Sequence, residues 1–267
     1  MSLLTLDGVT KRFAGLTAVE DVSFSVARGE IVGLIGPNGA GKSTMLNLIT
    51  GLSVPSEGHI AIERDGTARS LVGLKPHQIA RLGVGRSFQH IRLFDDMSVL
   101  ENVMVGLDAH LRAGYLASLF DMPAVKREEA EAREQAAALL AQVEPALAAM
   151  QSRRAGELAY ADRRRVEIAR ALATRPVLLL LDEPAAGMAP QEIDRLARDL
   201  QRIRAGGTSI LLIEHKMRLI ERATDRVVVL NHGRKLFEGT FDALAQDQSV
   251  VDAYLGRSYA DSVATQR

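Results

Sequence analysis

The chain has 267 residues, with 33 basic and 33 acidic side chains and no formal net charge. That length suits one large α/β domain, or a core with a smaller lobe. There is no basic excess to point to a nucleic-acid partner and no acidic excess to suggest disorder. The sequence holds no Cys, which excludes disulfides, thiolate zinc sites and a thiol nucleophile, and suits a reducing compartment.

Aromatic residues make up 4% of the chain and Trp is absent, so a base-stacking surface fits poorly. The opening Met1-Ser2-Leu3-Leu4-Thr5 is not read as a signal peptide, because Asp7 and Lys11 interrupt it before an apolar stretch develops. Uninterrupted apolar runs, such as 136–141 and 177–181, fall far short of the ~20 residues that span a bilayer. A membrane role is therefore expected only through a partner.

Strands are predicted over 19–26 and 30–35, joined by a turn at Arg28-Gly29. Ile31-Val32-Gly33-Leu34-Ile35 reads as a buried strand and ends abruptly at Gly36-Pro37-Asn38-Gly39. From Lys42 the pattern turns helical, with Met45, Leu46, Leu48 and Ile49 on one side and Gly51 as the stop. A further strand follows over 59–62 and a short helix over 76–82, closed by Gly83. Ser98 caps a helix over 98–106, with Glu101 completing a capping box.

Residues 124–150 read as one Ala-, Glu- and Arg-rich helix. Residues 156–172 read as a loop leading into another helix, followed by an all-apolar strand at 177–181. A helix over 191–205 ends at Gly206-Gly207, and apolar strands follow at 209–213 and 226–230. This alternation predicts a mainly parallel sheet. The helical stretch from about 95 to 160 interrupts the alternation and reads as a separate lobe. There is no internal repeat.

Gly36-Pro37-Asn38-Gly39-Ala40-Gly41-Lys42-Ser43 matches the phosphate-binding pattern GxxxxGK[ST] in full. The glycines let backbone N–H groups turn toward phosphate oxygens, and the following helix adds its positive end. Lys42 reaches the β and γ phosphates, Ser43 can ligate Mg²⁺, and Thr44 completes the nucleotide-binding set. Leu178-Leu179-Leu180-Leu181-Asp182-Glu183 delivers two carboxylates at the carboxyl end of a strand, where open α/β sheets place ligands. Asp182 is the candidate Mg²⁺ ligand, and Glu183 the residue that polarises the attacking water.

With these motifs in place, the chain resembles the nucleotide-binding subunits of ABC transporters. Within them it is most similar to the LivG-type ATPases of branched-chain (hydrophobic) amino-acid uptake. The resemblance runs from Val9 to about Gly256. Its subfamily markers are Arg86-Ser87-Phe88-Gln89-His90-Ile91-Arg92-Leu93-Phe94, Glu101-Asn102-Val103, Glu183-Pro184-Ala185-Ala186-Gly187-Met188 and Ile213-Glu214-His215.

The resemblance implies a RecA-like P-loop NTPase core with an antiparallel β subdomain and an inserted α-helical lobe. One ABC ATPase domain would cover 1–256, with the nucleotide-binding core at 1–94 and 160–256, the lobe at 95–159, and a flexible tail at 257–267. It implies that Gln89 links Mg²⁺ and the γ phosphate to the membrane partner, that His215 is the switch histidine, and that Phe13 stacks on adenine. ATP and Mg²⁺ are the implied ligands. The implied partners are a second, LivF-like ATPase or a second copy of this chain, two transmembrane permease subunits and, indirectly, a periplasmic solute-binding protein. The implied location is peripheral, on the cytoplasmic face of the inner membrane.

Two departures from the family pattern stand out. Where the signature loop is Leu-Ser-Gly-Gly-Gln, this chain has Leu158-Ala159-Tyr160-Ala161-Asp162. In the family, that loop faces the nucleotide of the opposing subunit. Ala159 cannot donate the serine hydrogen bond, and Ala161 adds a methyl group where close approach is expected. Ala189 likewise stands where the D-loop usually has Asp. The departures imply an asymmetric pair, with a strong site built on Lys42, Asp182, Glu183 and His215 and a weaker one facing Ala159 and Ala161.

The Arg163-Arg164-Arg165 run could be read as an anion-binding patch, but a solvated helix face with packed stems is the expectation. A related system such as lipopolysaccharide export, or a weakly catalytic regulatory subunit, is the alternative reading. Non-transport ABC ATPases acting on DNA or ribosomes usually carry coiled-coil insertions or tandem domains, and this chain has neither.

Overall fold

The computed structural model describes residues 2–87, 91–107, 123–247 and 250. The predicted residues Gln89, 251–256 and the tail at 257–267 lie outside them.

Six strands form the main sheet: β3 (Ile31–Ile35), β6 (Val84–Arg86), β7 (Leu178–Asp182), β8 (Ser209–Ile213), β9 (Arg226–Asn231) and β10 (Arg234–Gly239), in the order β10-β9-β3-β8-β7-β6. The pairs from β9 through β6 are parallel, and β10 returns antiparallel on β9. A parallel sheet is covered on both faces, so its strands are apolar throughout. All five residues of β3, of β7 and of β8 are buried.

Alternate residues on these strands serve different cores. Val32, Leu34, Leu178, Leu180, Leu211 and Ile213 join the cluster beneath the helix Lys42–Ile49, with Met45 and Leu46. Ile31, Ile35, Leu179, Leu181, Ile210 and Leu212 join the cluster on the opposite face, with Val166, Ile168 and Leu200.

The second sheet is antiparallel, in the order β2-β1-β4-β5. It comprises β1 (Ser2–Phe13), β2 (Leu16–Ala27), β4 (Glu57–Arg64) and β5 (Thr67–Ser70). Its apolar residues, including Leu4, Val22 and Ile60, close the first core over the helix Lys42–Ile49. Strand β1 was not anticipated: charged Asp7, Lys11 and Arg12 mask its alternation in sequence, while Leu4, Leu6 and Val9 are buried.

The helices Val99–Leu107 and Pro123–Val143 pack on the helix Tyr160–Ala173. Gly106 marks a close crossing, because a Cβ there would lie 2.3 Å from the Arg170 carbonyl oxygen. Ser98 and Glu101 form the expected reciprocal cap: the Glu101 N–H donates to Ser98 Oγ at 3.2 Å, and the Ser98 N–H donates to Glu101 Oε2 at 2.8 Å.

The single helix expected over 124–150 is two. The first ends at Val143, Glu144 is extended, and Pro145 starts the short helix Pro145–Ala148. Proline has no N–H to continue the ladder and disfavours helical backbone at the residue before it.

The arginine run is also corrected. Arg164 and Arg165 are 0% and 2% exposed, not solvated. Arg164 pairs with Glu167 at 2.6 Å, and Arg165 pairs with Asp199 at 2.7 Å and Asp162 at 3.0 Å. Only Arg163 lies toward the surface, where it pairs with Asp95. The partners Glu167 and Asp162 come from the adjacent turns of the same helix, and Asp199 comes from the helix Pro190–Ala205.

Candidate nucleotide-binding site

The carboxyl ends of β3, β7 and β8 lead directly into the candidate residues, at the edge where parallel sheets place ligands. After β3 the chain turns through Gly36 to Gly41 into the helix Lys42–Ile49. Gly36 and Gly41 have φ of 153° and 101°. A Cβ on Gly36 would fall 2.1 Å from the Leu230 carbonyl oxygen, and one on Gly41 would fall 2.7 Å from that of Ala18. The loop is thus pressed against β9 and the start of β2, which explains two of its glycines.

Pro37, Asn38 and Gly39 form the outer part of the loop, and buried Ala40 anchors it through a hydrogen bond from the Gly233 N–H at 3.2 Å. Ser43 is exposed at the first turn, next to partly buried Thr44. The Lys42 ammonium donates to the Gly36 and Pro37 carbonyl oxygens at 2.7 and 2.9 Å. Burial pushes its pKa down, while Glu183 and Asp182 pull it back up. Lys42, Asp182 and Glu183 therefore share one field.

Asp182 ends β7 and is nearly buried. Burial pushes its pKa up; Arg86 opposes that shift and Glu183 reinforces it. Arg86 Nη2 lies 3.4 Å from Asp182 Oδ2, while its Nη1 donates to Asn47 Oδ1 and Thr50 Oγ1 at 3.1 and 3.3 Å. One guanidinium thus ties the metal-binding candidate to the helix of the phosphate loop.

The Ser43 hydroxyl and the Asp182 carboxylate are hard oxygen donors. No group of three or more His, Cys, Asp or Glu among the described residues forms a metal cage. That donor set fits Mg²⁺, which takes one or two protein oxygens and fills its shell with phosphates and water.

Glu183 sits in the left-handed region, with φ of 47°. That conformation is strained for a residue with a Cβ, and such strain concentrates at functional sites. The Glu183 N–H donates to the Ile213 carbonyl oxygen at 2.9 Å. This bond extends the β7–β8 ladder and brings Glu183 beside the residues that follow β8. His215 Nδ1 lies 3.7 Å from Glu183 Oε1, and its side chain is 46% exposed. The two residues expected to act on the γ phosphate are therefore neighbours.

Phe13 is 48% exposed at the hairpin between β1 and β2. Its ring lies 4.8 Å from the Lys11 ammonium, as a cation–π contact. Ala18, just past this hairpin, touches Gly41, so the hairpin sits beside the phosphate loop.

In the signature segment, Ala159 is exposed and caps the helix Tyr160–Ala173 without a side-chain hydrogen bond. Ala161 is 4% exposed and belongs to the hydrophobic core. Its methyl group points inward, so the expected obstruction of a facing nucleotide by Ala161 does not arise. Tyr160 packs over Gly187, whose Cβ position lies 3.7 Å from the ring. Exposed Ala189 precedes the helix Pro190–Ala205, and its N–H donates to Glu192 Oε2 at 2.8 Å. Sequence reasoning missed Arg86 and Glu214 as members of the site. Both lie inside segments that the sequence reading uses only as subfamily markers.

A phosphate loop at the end of β3 and paired carboxylates at the end of β7, with β8 between them, define a P-loop ATPase. The chain belongs to the ABC transporter family, whose sequence profile matches residues 19–186. It is 44% identical over 257 residues to the high-affinity branched-chain amino acid transport ATP-binding protein LivG of Salmonella typhimurium, covering 96% of this chain and 98% of that protein. It is 37% identical over 260 residues to the lipopolysaccharide export system ATP-binding protein LptB of Acidithiobacillus ferridurans, with the same coverage of 96% and 98%. Among solved structures, it is similar to the ADP conformation of an ATP-binding cassette of an ABC transporter. That likeness has a TM-score of 0.82 at 32% identity and covers 96% of this chain and 99% of the other. No helix among the described residues is long and apolar enough to cross a membrane.

Proposed function

We propose that this chain hydrolyses ATP to drive an importer of branched-chain or other hydrophobic amino acids, from the cytoplasmic face of the inner membrane. The observation that carries the reading is the meeting of Lys42, Asp182, Glu183 and His215 at the ends of β3, β7 and β8. The higher identity to LivG than to the lipopolysaccharide export protein supports import over export.

The backbone N–H groups of Gly36 to Ser43 and the Lys42 ammonium hold the β and γ phosphates. Phe13 offers its ring to adenine. Glu183 orients and polarises the attacking water, and His215 contacts the γ phosphate. Ser43, Asp182 and Gln89 would hold Mg²⁺, which neutralises charge on the phosphates when bound. The core at 1–94 and 160–256 binds nucleotide, while the lobe at 95–159 and Gln89 carry its state to two permease subunits. A LivF-like ATPase or a second copy of this chain completes the pair, and a periplasmic binding protein delivers the solute.

The test is Glu183→Gln in the assembled transporter. ATP should still bind, while hydrolysis and ATP-driven leucine uptake into proteoliposomes should both be lost. Wild-type turnover by that variant would sink the catalytic assignment. Robust ATPase without leucine uptake by the wild type would sink the solute assignment.

A further inference from the structure

Glu214 follows β8 and is 0% exposed. A carboxylate so placed must find partners for its lone pairs or bear a large desolvation cost. Here the partners are three backbone N–H groups. Glu214 Oε1 accepts from Ala185 at 2.9 Å. Glu214 Oε2 accepts from His215 at 2.7 Å and from Lys216 at 2.8 Å. Among the described residues, no Lys or Arg is ion-paired with it.

The three donors belong to two different segments. Ala185 lies two residues beyond Glu183, in the turn after β7, while His215 and Lys216 form the turn after β8. His215 Nδ1 is 3.7 Å from Glu214 Oε2, the same separation as from Glu183 Oε1. Two carboxylates thus flank Nδ1 of the imidazole.

We propose that Glu214 is the positioning residue of this ATPase, a buried bracket that sets the Glu183 carboxylate and the His215 ring at one fixed spacing. The inference rests on the reading of Glu183 and His215 as the groups acting on ATP. Charge-assisted bonds to a carboxylate are about twice as strong as neutral ones, and only a carboxylate can accept all three donors without presenting a donor of its own. Strained Glu183 needs such an external constraint, because its own backbone preference opposes the conformation. The bracket also makes the two turns move together, so a shift of His215 on meeting a γ phosphate is felt at Glu183.

Glu214→Gln is nearly isosteric and cuts the bracket selectively. The amide oxygen can keep the His215 and Lys216 bonds, while the NH₂ group meets the Ala185 N–H and breaks the tie to the Glu183 turn. In the assembled transporter we expect kcat to fall roughly ten- to a hundredfold, the effect of one lost charge-assisted bond. KM for ATP should stay within about twofold, because the phosphate loop is untouched. Glu214→Asp keeps the charge but is one methylene too short to reach both turns, and should show the same split in milder form.

Turnover within twofold of wild type in both variants would overturn the inference. So would a parallel loss of ATP binding and turnover in both, the mark of a purely structural acid. Glu183→Gln is measured alongside. If it is inactive while Glu214→Gln is normal, only the bracket fails; if Glu183→Gln is fully active, the catalytic reading and the bracket fall together.

Discussion

Arg86 and Asp182 face each other at 3.4 Å across the parallel strands β6 and β7, with side chains 17% and 10% exposed. Arg86 also reaches Asn47 and Thr50, so it joins the Mg²⁺-binding candidate to the helix of the phosphate loop. Breaking a buried pair from one side leaves an uncompensated charge. Arg86→Ala should therefore cost about 3 kcal/mol, the low end for such pairs, because Arg164 still acts on Asp182. Urea denaturation of Arg86→Ala, Asp182→Asn and the double variant checks this. The arginine substitution should cost much less in the Asp182→Asn background, and strictly additive effects would contradict the coupling.

Asp182 itself opposes folding at neutral pH. Its pKa is raised above 3.8, with burial outweighing Arg86. Below the ordinary carboxylate value, folded and unfolded chains are both protonated and no penalty exists. As pH rises through that value the unfolded chain releases its proton first. Stability then falls until the raised folded pKa is passed, and the penalty is constant above it. Asp182→Asn removes this term. Because the variant also leaves Arg86 facing a neutral partner, the readout is the trend with pH: its melting temperature should rise relative to wild type from acid to neutral pH, and Mg²⁺-dependent turnover should be lost. A difference that stays constant or falls over that range would refute the assigned sign.

The glycines of the phosphate loop separate into two kinds. At Gly36 a Cβ would collide with the Leu230 carbonyl oxygen at 2.1 Å, whereas at Gly39, with φ of 79°, no heavy atom lies within 4 Å. Gly39→Ala should fold with only the left-handed strain of about 1–2 kcal/mol. Gly36→Ala must displace β9 or the loop and should lose ATP binding. Thermal melts and nucleotide titration of the two variants distinguish them, and similar behaviour of both would show that contact with β9 is unimportant.

Much of this site was legible because buried parallel strands are apolar on both faces. Leu178 to Leu181 and Ile210 to Ile213 announce themselves as runs, and the polar residues that end them mark one edge of the sheet. The outer sheet was less visible. The pairing of β1 with β2 and β4 is set by contacts distant in sequence, and Asp7, Lys11 and Arg12 interrupt its pattern. Arg86 and Glu214 were hidden for a related reason. Each is a charged residue beside an apolar run and reads as solvated until its partners across the sheet are known. The break at Pro145 was available in the sequence, but high alanine content around it favours one continuous helix. Arg164 and Arg165 show the converse error, since three adjacent charges suggest solvent while two of them are buried in ion pairs.

The signature segment gives the cleanest functional variant. Ala159 is the N-cap of the helix Tyr160–Ala173 and makes no side-chain bond there. A serine would accept from the Asp162 N–H, which now donates to the Ala159 carbonyl oxygen at 3.0 Å, and N-cap serine over alanine stabilises by about 1 kcal/mol. Its exposed hydroxyl would also be available to a facing nucleotide. Ala161 behaves oppositely: its methyl group is in the core, so Ala161→Gly loses packing and about 1 kcal/mol of helix propensity. Changing both residues together would mix a gain with a loss. Ala159→Ser alone should raise the melting temperature by a few degrees and increase ATP turnover of the assembled transporter. Stabilisation without faster turnover would show that the missing hydroxyl does not limit turnover, and would refute the asymmetry expected from Ala159.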